Sequence, residues 1–376
     1  MHSERIPELV IGQHRASVPI IQGGMGVGIS LSGLASAVAE QGGIGVISTA
    51  GIGRQEPNYQ KNMKQSDRRA LIKEIRKARS KTDGILGVNI MMALSNYEDL
   101  LKVSVEEKID MVFIGAGLPL KFPPSIPLET LRKSSTSFLP KISSARATGV
   151  LLKYWDRNNR YIPDGIVVEG PMAGGHLGFS RADLENDEQS LDKIMQGVLE
   201  IVKPYEDKYG RSIPVIAAGG IYTGEDIFNI MSSGARGVKM GTRFVATYEC
   251  DAHEKFKQAY IDCKEEDIVI IDSPVGLPGR AIRSKLLTDV DKGIRKPYEC
   301  PWKCLITCDF LEAPYCIAKA LMNAKEGDLV DGFAFAGANA YRIDRLMSVK
   351  QLISSLMDEF IIASTEKDIV RAAVSG

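Results

Sequence analysis

Histidine is scarce in this chain of 376 residues: four are present, two near the N-terminus (His2, His14) and one in a charged helical stretch (His253). Imidazole chemistry near neutral pH therefore has few possible seats. Net charge is lacking as well. Lys plus Arg and Asp plus Glu both total 47, so no net field draws the chain to nucleic acid or an anionic membrane, and no basic stripe with interleaved aromatics is present. Neither partner is expected. Long apolar runs are missing: the first 20 residues carry Glu4, Arg5, Glu8, His14 and Arg15 in place of an apolar leader core, and no later run approaches the roughly 18 residues a membrane span needs. A cytoplasmic location is expected. A dinucleotide fingerprint is missing too, because Gly23-Gly24-Met25-Gly26-Val27-Gly28 does not contain G-x-G-x-x-G and the second apolar run ends in Ser48-Thr49 without an acidic residue for a ribose.

What is present is a repeated unit. With 44% hydrophobic and 25% charged residues, the chain can bury a large core. Short β-branched runs ending in Gly, Ser or Asn alternate with stretches of helical period, the pattern of a parallel sheet covered by helices. Eight such runs occur: Val18–Gly23, Ile44–Ser48, Ile85–Ile90, Met111–Gly115, Leu139–Ser143, Gly165–Gly170, Ile213–Gly219 and Gly237–Gly241. Helices are expected over Leu31–Gln41, Arg68–Lys81, Gln189–Tyr209 and Gly224–Ser233. Eight strands within about 200–250 residues predict an α/β fold of the (β/α)8 type, a TIM barrel. The barrel is expected over 1–245. A smaller, mainly helical α/β addition over 246–376 is expected to cap its mouth, with helix over Ala252–Cys263, a strand at Ile268–Ile271, a Pro/Gly loop at Ser273–Arg280, and helices from Ala313 and over Val349–Phe360. Pro119, Pro123, Pro124 and Pro127 predict an ordered loop over the mouth rather than a helix.

Barrel geometry ranks the motifs, since the C-terminal ends of all eight strands share one mouth. Strand six runs into Glu169-Gly170-Pro171-Met172-Ala173-Gly174-Gly175-His176-Leu177-Gly178, where glycines permit backbone that lifts a side chain clear of the core. His176 is the leading catalytic candidate. Loops after strands seven and eight make the usual phosphate cradle of this fold, which places an anion at Gly219, Gly220, Gly241 and Thr242. Met25 and Asn89 end strands one and three, and with Glu169 they either bind, support or simply pack. A phosphate cradle also suits an aldolase, for which Lys141 and Lys239 are the candidate Schiff-base lysines. Gly337-Ala338-Asn339-Ala340-Tyr341-Arg342 reads as a turn that could reach back to the mouth. Four of six cysteines, Cys300, Cys304, Cys308 and Cys316, lie close together. That density suggests an iron–sulfur or zinc site, although the spacing is not that of a simple zinc ribbon, and a helix begun by Pro301 would make Cys304 and Cys308 plain core residues.

Four ordered motifs carry a family resemblance: Ile20-Ile21-Gln22-Gly23-Gly24-Met25-Gly26, the His176 segment, Ala217-Ala218-Gly219-Gly220-Ile221, and Val238-Lys239-Met240-Gly241-Thr242-Arg243-Phe244. Over about residues 15–250 the chain resembles the nitronate monooxygenase family (2-nitropropane dioxygenases), which includes flavin-dependent enoyl-acyl carrier protein reductases. The resemblance implies FMN in the mouth, with its phosphate at Gly219-Gly220 and Gly241-Thr242. Gly23, Gly24, Met25 and Asn89 would lie along the ring system and ribityl chain, and Gly174 and Gly175 would border the cofactor. It implies His176 as the active-site base or acid and a small-molecule substrate: a nitronate oxidised with O2, or an enoyl thioester reduced by NAD(P)H. A homo-oligomer is compatible with either. Where many relatives have an acidic or serine residue, this chain reads Gly170-Pro171-Met172-Ala173, so its substrate pocket is expected to differ. A phosphate-binding barrel without redox activity remains the third alternative.

Overall fold

The computed structural model describes residues 6–123, 125–186, 189–300 and 303–374; His2, Pro124 and Pro301 lie outside the described residues. All eight expected runs form parallel strands of one sheet: Ile20–Gln22, Gly45–Ser48, Leu86–Met91, Met111–Gly115, Ser137–Ile142, Ile166–Glu169, Val215–Ala218 and Gly237–Met240. The eighth strand pairs with the first, Lys239 opposite Ile21, and an Ile21–Ile44 bridge joins first to second. Pairing therefore runs around the full circle of a TIM barrel.

Side chains alternate inward and outward along each strand. Ile21, Val46, Phe113, Leu139, Val167 and Ile216 form a dry interior with Leu9 and Ile11, each large apolar side chain contributing about 1.5–3 kcal/mol by leaving water. Leu9–Ile11 pairs with His14–Ala16 in a hairpin that the sequence reading did not anticipate. Its contacts with Ser137 and Gly237, at the starts of strands five and eight, place it across the N-terminal end of the barrel. The opposite end is left for the site.

Helices cover the outside and begin where side chains cap their free N–H groups. Asn62 accepts from Gln65, so the helix expected over Arg68–Lys81 runs instead over Met63–Arg79. Ser144, Ser190 and Thr223 cap Ala145–Asn159, Leu191–Tyr209 and Gly224–Ser232. The final helix, Val349–Val374, packs on Gly224–Ser232 so closely that a Cβ at Gly224 would lie 2.0 Å from Leu356 O. That helix lies against the barrel's outer layer. Among the described residues no helix is long and apolar enough to cross a membrane.

Three expectations need correction. The Pro/Gly loop at Ser273–Arg280 is the turn and second arm of a hairpin: Pro278–Ile282 pairs with Ile268–Asp272 on one side and with the two-residue strand Gly175–His176 on the other. Residues 303–308 are not helical; Leu305 bridges Leu94, and Ser95 N–H donates to Cys304 O. The proline-rich loop does not cover the mouth. Trp155 Nε1 donates to Pro119 O at 2.8 Å and Phe122 packs on the Trp155 ring at 4.6 Å, which holds the loop at the barrel's side, and among the described residues of 118–128 only Leu118 lines the central cavity.

Candidate active site

A cavity of about 600 Å3 opens at the C-terminal ends of the strands, and its walls include Gly23, Gly24, Met25, Asn89, Gly174, Gly175, His176, Gly219, Gly220, Gly241 and Thr242. The candidate catalytic and cofactor-bordering residues from the sequence meet there, as do Lys141, Glu169 and Lys239, whereas Cys300, Cys308 and Cys316 line a separate, smaller cavity. The period of the strands explains its floor. Lys141 stands two residues beyond inward-facing Leu139, and Glu169 two beyond Val167, so both point inward one layer above the apolar interior. Their charges pair at 2.7 Å. Lys239 lies over the Phe113 ring at 4.3 Å and reaches Asn89 Oδ1 at 3.4 Å. Burial first, and the Lys141 charge second, bring Lys239 down to about 7, with Glu169 opposing.

The two glycine turns form one wall. Gly219 and Gly220 adopt φ of +94° and +86°, left-handed backbone that a side chain resists. The N–H groups of Gly219, Gly220, Gly241 and Thr242 meet no hydrogen-bond acceptor among the described residues. Amides without acceptors on two turns that line one cavity suit an anion. A Cβ added at Gly241 would touch nothing nearer than the Met25 sulfur, 3.8 Å away. The turn at 337–342 does reach back: Gly337 N–H donates to Thr242 Oγ1 at 3.0 Å, and Asn339 Nδ2 donates to Gly220 O at 2.6 Å.

His176 stands opposite the amides in chemical character. Its Nε2 is hydrogen-bonded with Ser273 Oγ at 2.7 Å, and its ring meets Phe335 edge-on at 4.9 Å. Burial, and then the Lys141 charge, lower it to about 4, so the imidazole is neutral at pH 7 and able to accept a proton. Arg280 holds the approach: its Nη1 donates to Pro171 O and Ala173 O, each at 2.6 Å. Ser273, Phe335 and Arg280 were not singled out from the sequence. No local pattern marks them, since they reach the mouth through the capping hairpin and the strand-like segment beside it. Lys141, a candidate Schiff-base lysine on the sequence, has its amine engaged by Glu169 at 2.7 Å.

Eight parallel strands closed into a barrel, with glycine turns and a buried imidazole around one cavity at its mouth, define a TIM-barrel protein. The nitronate monooxygenase family matches residues 8–359, and the chain belongs to that family of oxidoreductases. It is 26% identical over 277 residues to a "(3aS,4S,5R,7aS)-5-hydroxy-7a-methyl-1-oxo-octahydro-1H-indene-4-carboxyl-CoA dehydrogenase" of Mycobacterium tuberculosis, across 74% of this chain and 66% of that relative. The match thus leaves a third of the relative uncovered. A probable nitronate monooxygenase of Staphylococcus haemolyticus is 25% identical over 293 residues, 72% of this chain and 76% of its own. Among solved structures, FabK from Thermotoga maritima aligns over 97% of both chains with TM-score 0.71 and 29% identity. A nitroalkane oxidase from Streptomyces ansochromogenes shares the fold with TM-score 0.71 at 22% identity, covering 93% of this chain and 98% of its own.

Proposed function

We propose that this chain is an FMN-dependent oxidoreductase in which His176 moves a proton at a carbon beside an electron-withdrawing group. The observation that carries the reading is that the free amides of the seventh and eighth strand turns face the same cavity as a buried neutral imidazole. Gly219, Gly220, Gly241 and Thr242 would hold the FMN phosphate. Gly23, Gly24, Met25, Asn89, Gly174 and Gly175 would border the rest of the cofactor. Bound there, the flavin supplies the two-electron acceptor or donor that the protein's own side chains lack. His176 accepts the proton from a substrate carbon or returns it, and the Ser273 hydroxyl fixes the ring's orientation. Lys141, Glu169 and Lys239 give the floor its charge.

An alkyl nitronate oxidised with O2 is the substrate reading closest to the family name. A second reading, NAD(P)H-dependent reduction of an enoyl thioester, is favoured by the largely apolar lining outside the glycine turns, which includes Val27, Met63, Leu94, Leu305, Ile317 and Leu321. The absorption spectrum of the purified protein tests the flavin, and a colourless protein that takes up none on reconstitution overturns both readings. Oxygen uptake with ethylnitronate is then set against NAD(P)H consumption with a crotonyl thioester. His176→Ala is expected to lower turnover about a hundredfold with flavin retained; an unchanged rate removes His176 from the mechanism.

A further inference from the structure

Four cysteines converge where the reading above makes no use of them. Cys300, Cys304, Cys308 and Cys316 are free thiols that line one small cavity beside Tyr298, Leu305, Phe310 and Ile317. The remaining two lie elsewhere: Cys250 and Cys263 are buried in the core of the capping region.

Among its described residues, the chain that carries the four is neither helix nor strand. Between the helices Lys285–Asp291 and Ile317–Lys325 the described residues form no regular element, over a stretch longer than an unsupported loop in a compact domain usually is. The turns of this stretch bring Cys300, Cys304, Cys308 and Cys316, spaced by four, four and eight, onto one cavity. Lys303, just before Cys304, takes φ of +45°, a conformation a lysine resists. The backbone is fastened to the barrel by Ser95 N–H to Cys304 O and Ile306 N–H to Ala93 O.

We infer that Cys300, Cys304, Cys308 and Cys316 form the ligand set of an iron–sulfur cluster. A disulfide pair would leave two of the four without a role. A tetrahedral zinc ion needs sulfurs about 3.8 Å apart, from Zn–S bonds of about 2.3 Å, and among the described residues no three His, Cys, Asp or Glu side chains converge tightly enough to hold a single ion. A polynuclear cluster separates its four thiolates more widely, which suits four thiols that line one cavity. The surroundings fit its negative charge. Arg54 Nη2 donates to Cys304 Sγ at 3.7 Å, and the Tyr298 hydroxyl lies 3.6 Å from Cys308 Sγ, hydrogen bonds of the type that tune cluster potentials. Cys304, Leu305, Ile317 and Ala318 line both this cavity and the central one. The cluster would therefore border the reaction site.

The test is metal and acid-labile sulfide analysis of the full-length protein purified anaerobically, followed by anaerobic reconstitution with ferrous iron and sulfide of any preparation that has lost its cluster. Iron and sulfide in equal amounts, about two or about four of each per chain, are expected, with a paramagnetic resonance signal after dithionite reduction. Cys304→Ser and Cys308→Ser should each lose most of the iron and sulfide while circular dichroism shows the fold retained. If both variants unfold, the anaerobic wild-type analysis decides alone. Zinc without sulfide, or four thiols that remain freely titratable after reconstitution, overturns the inference. Each of these readouts is independent of flavin content, so failure here leaves the FMN reading standing, and the reverse also holds.

Discussion

The Lys141 ammonium donates to Glu169 Oε1 at 2.7 Å across the pairing of barrel strands five and six, one side-chain layer above Leu139 and Val167. Two charges in so sheltered a layer are tolerable only together. Removing one partner strands the other at a cost of about 3 kcal/mol, so Glu169→Gln should lower stability to urea by roughly that amount. Lys141→Met combined with Glu169→Met should recover much of the loss. Urea titration of the full double-mutant cycle checks this, and simple additivity of the two single changes would show that the pair carries no coupling.

The same lysine bears on His176. Burial and then Lys141 hold the imidazole below its ordinary value of 6.5, at about 4. Between these values the unfolded chain binds the proton and the folded protein does not, so stability from this residue is complete above about pH 6.5 and is lost as the pH falls toward 4. The loss attributable to His176 is roughly 3 kcal/mol. Denaturation curves of wild type and His176→Gln should converge as pH is lowered over that window, and parallel curves would contradict the shift. Lys141→Met should raise the imidazole pKa, because it removes the second cause and leaves the first.

The features legible in the sequence were those with a local cause. The eight strands announced themselves as β-branched runs because each is buried on both faces, and Gly219, Gly220 and Gly241 stood out because glycine is what a close backbone approach requires. Lys141 and Glu169 were visible as residues but not as partners. Their meeting depends on register between two strands with a helix between them, and periodicity within either strand carries no trace of it. Gly175–His176 is too short to show alternation. Its partner Pro278–Ile282 hid behind Pro274, Gly276 and Pro278, which punctuate a turn and an edge equally well. Cys300 to Cys316 could be flagged by density alone; that their thiols share a cavity depends on how the irregular chain between two helices is fastened to the barrel.

Arg280 tests how far the capping hairpin positions His176. One guanidinium nitrogen serves the carbonyls of both Pro171 and Ala173 at 2.6 Å, and the residue is 9% exposed. Arg280→Met would leave both carbonyls without a donor and cost about 3 kcal/mol. A positioning role further predicts that turnover falls while the pH dependence assigned to His176 keeps its midpoint, with partial rescue by Arg280→Lys, whose ammonium lacks the rigid fork. A shifted midpoint would instead place the Arg280 charge within direct electrostatic reach of the imidazole.

Gly241 offers the cleanest test of the amide cradle. Gly219 and Gly220 have positive φ, so a substitution at either strains the backbone as well as filling the cavity, and a loss of cofactor there would have two causes. Gly241 has φ of −105° and ψ of −59°, and a Cβ on it would reach open space before the Met25 sulfur at 3.8 Å. Gly241→Val therefore places methyl groups in the space assigned to the phosphate without strain from left-handed backbone. Losing one or two charge-assisted hydrogen bonds of about 1.5–3 kcal/mol each should weaken flavin retention by about tenfold or more. Flavin released on denaturation, measured per chain, reads the loss, and thermal unfolding of flavin-free preparations of both proteins should agree closely. Full flavin content in Gly241→Val would mean that the anion sits elsewhere on the rim.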